Sequence, residues 1–122
     1  MADYPNPFDS FEVVSQYTDA QACDDGFLVA IAAKDRVSRA VWDYLCSRVP
    51  LDNVKPEDID AKRHDHALFT SGRMVSQNAL EARRVYEQNI GGGIFTLIEL
   101  GRKFWIMPNE LGGVTLMFPE DY

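Results

Sequence analysis

The sequence predicts a single α+β domain spanning residues 1–122, with a three- or four-stranded, mostly antiparallel sheet packed against two to four helices. Three observations carry that expectation. The C-terminal third holds three short apolar runs at 94–100, 103–107 and 114–118, rich in β-branched and aromatic residues and bounded by Gly, Pro or Asn. The middle of the chain, 57–88, repeats apolar and small residues at steps of three and four, the period of one helix face. At 122 residues with 46% apolar and 25% charged side chains, the composition is that of an ordinary globular domain able to bury a core.

Each element has its own local reason. Residues 1–15, with Pro5 and Pro7, read as an irregular arm that ends in an extended piece at 11–14. Thr18 and Gln21 have capping-box spacing for a helix near 18–25, and Gly26 stands where a left-handed residue ends it. The run 27–32 is the first strand. Ser38 is placed to cap a helix at 39–48 with Val41, Trp42, Leu45 and Val49 along one face, closed by Pro50. Pro56 and the acids after it open a helical region at 57–88. His64, Leu68, Ser71, Val75, Ala79, Ala82 and Tyr86 recur at steps of three and four, and from Leu68 to Tyr86 they form its expected buried stripe, while His64 is expected on a solvated or half-buried surface. Asp58–Lys62 and Arg83–Glu87 are i,i+4 pairs on the solvated side. Gly72 leaves one helix or two open, since a mid-helix glycine costs about 1 kcal/mol. The run Gly91-Gly92-Gly93 ends the region.

Charge and cysteine usage narrow the function classes. The net charge is −7, and the surplus lies in residues 1–60, with twelve acidic and five basic side chains, against seven of each in 61–122. Such a chain lacks the basic footprint of direct nucleic-acid binding and suits a protein partner that is basic or itself binds nucleic acid. The N-terminus has no basic-then-apolar leader and no run reaches membrane-spanning length, which predicts a cytoplasmic protein with no membrane contact. Cys23 and Cys46 lack paired ligand spacing and are expected as reduced, packed thiols.

Catalytic signatures are missing. On a helix the rings of His64 and His66 point apart and cannot share a metal, so no metal and no cofactor are expected. Gly91–Gly93 lacks the lysine and following helix of a phosphate loop. What remains is a surface. Trp105, Asn109, Glu110 and Leu111 surround a five-residue Gly-rich loop, 109–113, and are the candidate binding residues, with core packing as the plainer role for Trp105. Its glycines permit positive φ, so the loop is expected to stand at the surface with Leu111 at least partly exposed. The alternative is a small enzyme with a carboxylate-containing site near Asp25 or the 109–113 loop.

Tyr17-Thr18, Ala20-Gln21-Ala22, Asp25-Gly26-Phe27-Leu28-Val29, Val41-Trp42 and the terminal run 114–122 together resemble a family of small uncharacterised bacterial proteins often encoded on phages and plasmids. The resemblance covers both ends of the chain. It implies no catalytic residue, because that family has no assigned activity. It implies an accessory or anti-defence protein that works by binding other proteins. The expected function is therefore a non-enzymatic protein-interaction module, as monomer or homodimer.

Overall fold

Thr18 opens the described part of the chain, residues 18–122 of the computed structural model. The expected arm at 1–15 and its extended piece lie outside the described residues. Helix α1 (Asp19–Asp24) starts with the capping box that the spacing predicts. Thr18 Oγ1 accepts from the Gln21 N–H at 3.1 Å, and Gln21 Oε1 accepts from the Thr18 N–H at 2.8 Å. It ends at Gly26, φ +82°. There the Gly26 N–H donates to the Cys23 carbonyl at 3.1 Å and the Phe27 N–H to the Ala22 carbonyl at 2.9 Å. Those two bonds satisfy carbonyls that a six-residue helix would otherwise leave open.

Five strands follow: β1 (Leu28–Ala30), β2 (Arg36–Ser38), β3 (Phe95–Glu99), β4 (Arg102–Pro108) and β5 (Val114–Met117). They form one sheet in the order β1-β2-β5-β4-β3. The class is α+β as expected, but the sheet has more than three or four strands and is mixed. β2 runs parallel to β5, pairing Val37 with Leu116, while the other three ladders are antiparallel. The strand that sequence reading overlooked is β2. Its Arg-Val-Ser holds one apolar residue, too short for a two-residue period to register, and its partner β5 lies at the far end of the chain. The run 27–32 is strand only at Leu28–Ala30, and Phe27 is left 64% exposed. β3 and β4 form a two-residue hairpin in which Leu100 (φ +54°) and Gly101 (φ +74°) are both left-handed.

Helices α2 (Arg39–Ser47) and α3 (Ile59–Glu87) cover one face of this sheet. Ser38 caps α2, its Oγ accepting from the Val41 N–H at 3.2 Å, and Val41, Trp42 and Leu45 are buried. α3 is one helix that passes through Gly72, after a 3-10 turn at Pro56–Asp58. Its buried residues are Ala67, Thr70, Ser71, Met74, Val75, Ala82 and Val85. Only Ser71, Val75 and Ala82 of the expected stripe are among them; Leu68 (37%) and Tyr86 (53%) are exposed, and His64 is exposed as expected. Steps of three and four fit two adjacent stripes here, and the one holding small Ala67 and Ser71 beside Met74 packs on the sheet. Neither expected surface pair forms, and Arg83 turns instead to the 109–113 loop. Asn89, φ +54°, ends the helix ahead of the glycines.

The core joins Val37, Phe104, Ile106, Val114, Leu116 and Phe118 from the sheet side to the apolar faces of α2 and α3. Each fully buried side chain of this size contributes about 1.5–3 kcal/mol. Trp105 is not part of it. Strand alternation turns Phe104 and Ile106 inward and sets Trp105 half-buried on the opposite face, its ring edge-on to Tyr122 at 5.8 Å. Arg36 shares that opposite face and binds Asp19, which seats α1 there at the β1–β2 edge.

Candidate functional site

Asn109 organises the loop between β4 and β5. Its Oδ1 accepts from the N–H groups of Leu111 (3.0 Å) and Gly113 (3.1 Å), and its Nδ2 donates to the Lys34 carbonyl (2.9 Å) and the Thr115 hydroxyl (3.3 Å). With its carboxamide so committed, Asn109 positions the loop. The loop is tied to the 31–35 turn from below as well. Asp35 Oδ1 accepts from the Val114 N–H at 3.0 Å, and Arg83 donates to the carbonyls of Gly112 and Gly113, each at 3.1 Å. Of the two glycines only Gly112 has positive φ, +90°. Gly113 is required for a different reason: a Cβ there would stand 2.2 Å from the Lys34 carbonyl oxygen. So anchored, the loop leaves Glu110 exposed and Leu111 half-buried.

Beside it lies an open groove of about 720 Å³ on the sheet face opposite the core helices. α1 and the start of β1 supply Ala22, Phe27 and Leu28. The loop and β5 supply Pro108, Leu111 and Met117. Ser38 and Asp121 close the third side. Ser38 Oγ donates to Asp121 Oδ2 at 2.7 Å while capping α2, and the same oxygen accepts from the Phe118 N–H at 3.1 Å. The exposed surface of the lining is thus mostly apolar, and apart from Glu110 the polar side chains described there are hydrogen-bonded within the fold.

α1 forms a firm wall because Arg36 holds it. The guanidinium bonds both Asp19 oxygens, Nε to Oδ1 at 2.9 Å and Nη2 to Oδ2 at 3.0 Å, and donates through Nη1 to the Ala32 and Asp35 carbonyls. The hydrogen bond to Asp19 holds the Arg36 pKa above its ordinary value despite partial burial. Arg39, also in the lining, pairs with Asp43 at 3.1 Å.

Three of the four sequence-derived candidates, Asn109, Glu110 and Leu111, line the groove. Trp105 does not, although it stands opposite Met117, which does. Asp25 lies outside the lining as the exposed C-cap of α1. Phe27, Ser38, Met117 and Asp121 were not foreseen. Ser38 was legible as a helix cap, but its bond to Asp121 spans 83 positions and left no local signal. Elsewhere, His64 stacks edge-on against Trp42 at 5.3 Å, and among the described residues no three His, Cys, Asp or Glu side chains gather to hold a metal. Cys23 and Cys46 are free thiols, and burial pushes the Cys46 pKa up. Among the described residues no helix is long and apolar enough to cross a membrane. Comparison with protein-family models, curated proteins and solved structures finds no match for the chain.

Proposed function

We propose that this chain is a non-enzymatic protein-interaction module that docks its partner in the groove beside the 109–113 loop. The observation that carries this reading is the apolar lining itself. Phe27 stands 64% exposed there, beside Leu28, Leu111 and Met117, on a face that the core helices leave uncovered. A concave patch whose exposed surface is largely apolar favours docking of an apolar segment over chemistry on a polar substrate. The accessory role implied by the resemblance to phage- and plasmid-encoded proteins belongs to the same proposal, since mobile-element accessory proteins often act by binding others.

The test is the double change Glu110→Ala and Leu111→Ala. We expect partner capture from cell extract by the tagged full chain to be lost, while thermal stability stays within about 1 kcal/mol of the parent, as for surface changes generally. Capture that survives while stability falls by several times that amount makes the loop structural and removes the groove from the interface.

A further inference from the structure

Resting on the docking role proposed above, we infer that the groove takes a lysine- or arginine-bearing apolar segment of a protein partner, its apolar side chain set against Leu28, Leu111 and Met117 and its cation meeting Glu110 or Asp121. The argument is one of charge complementarity. Among the described residues four charged side chains line the groove: Asp19, Arg39, Glu110 and Asp121. Two already have partners of opposite charge, Asp19 in a largely buried pair with Arg36 and Arg39 in a surface pair with Asp43. The two that remain are both carboxylates. Among the described residues Asp121 is bonded only by neutral donors, the Ser38 hydroxyl and the Phe118 N–H, and Glu110 is exposed with no ion pair.

A purely apolar ligand would strip water from these two carboxylates and return nothing, and an acidic one would add repulsion. A cation flanking the apolar side chain restores what desolvation removes, while the long alkyl stem of lysine or arginine adds apolar contact. Phe27 offers an open ring face in the same lining, a further place for a cation to rest. The net charge of −7 draws such a partner in from a distance and repels a phosphate backbone.

The experiment uses the full chain and three fluorescein-labelled peptides of about ten residues that share a Leu-Phe centre and differ only in flanking Lys, Ser or Glu. Binding is read by fluorescence polarisation at about 50 mM and about 300 mM salt, where screening differs strongly. We expect the Lys peptide to bind about tenfold more tightly than the Ser peptide at low salt, with the advantage shrinking at high salt. Glu110→Lys should erase that advantage, and Leu111→Ser should weaken the Lys and Ser peptides alike. Glu110 is exposed, so its variant keeps the test intact even where Leu111→Ser perturbs folding.

Equal affinity for all three peptides, with loss on Leu111→Ser, leaves the docking groove standing and overturns the charge preference. Lys-peptide binding that ignores both variants is attraction to an acidic chain at large and overturns the inference. No peptide binding at all overturns the inference and the docking role together. A dimer in sedimentation that dissociates on Leu111→Ser puts a second copy in the groove, which also overturns it.

Discussion

Two glycines show how differently the same residue type is used. At Gly26 the backbone is left-handed (φ +82°) and an added Cβ would meet nothing within 4 Å, so only conformation is at stake. At Gly113 the φ is unexceptional, but an added Cβ would lie 2.2 Å from the Lys34 carbonyl oxygen and 2.6 Å from Asp35 Oδ1. Gly26→Ala should therefore cost about 1 kcal/mol. Gly113→Ala should cost about 3 kcal/mol, the upper part of the overpacking range, because what it strikes is backbone. Each kcal/mol lowers Tm by about 4 °C in a domain of this size, so thermal denaturation separates the two. Equal losses would mean that the 109–113 loop moves away from the 31–35 turn without resistance. Both glycines were legible as turn residues; which one admits a close approach was not, because Lys34 is remote in sequence.

At the scale of elements, α1 is the clearest case of local and distant causes combined. Its capping box and Gly26 stop are written in adjacent residues, yet six residues are far too few to hold a helix in water alone. What seats it is the Asp19–Arg36 pair, with side chains only 17% and 11% exposed, together with buried Ala22. Asp19→Ala should cost about 1.5–3 kcal/mol, as loss of a charged hydrogen-bonded partner does. It should also speed amide exchange across α1 and weaken any ligand held against that wall of the groove. Exchange in α1 that stays at the parent rate would show Ala22 packing to be sufficient. β2 sits at the opposite pole of legibility, since three residues with one valine become a strand only because β5 lies alongside.

For the molecule as a whole, β5 is the joint. It lies between β2 and β4 in the sheet, and it brings Val114 and Leu116 into the core, with Phe118 just beyond. Removing residues 114–122 deletes those three buried side chains, about 5–9 kcal/mol at 1.5–3 each, against a typical domain stability of about 5–15 kcal/mol. It also leaves β1 and β2 with no link to the rest of the sheet. We expect the truncated chain to lose near-UV circular dichroism and a cooperative thermal transition. A sharp transition near the parent midpoint would make β5 peripheral.

The sequence by itself determined the class, the helix caps at Thr18 and Ser38, the C-terminal hairpin and the surface loop with Glu110 and Leu111, because each depends on residues within a few positions of one another. Tertiary structure alone decided the fifth strand, the stripe of α3 that is buried, the outward turn of Trp105, and the meeting of Ser38 with Asp121 at the groove. These depend on which distant surfaces come together, and a short segment carries no record of that choice: steps of three and four fit two neighbouring stripes of α3, and alternation along β4 names two faces without saying which of them the helices will cover.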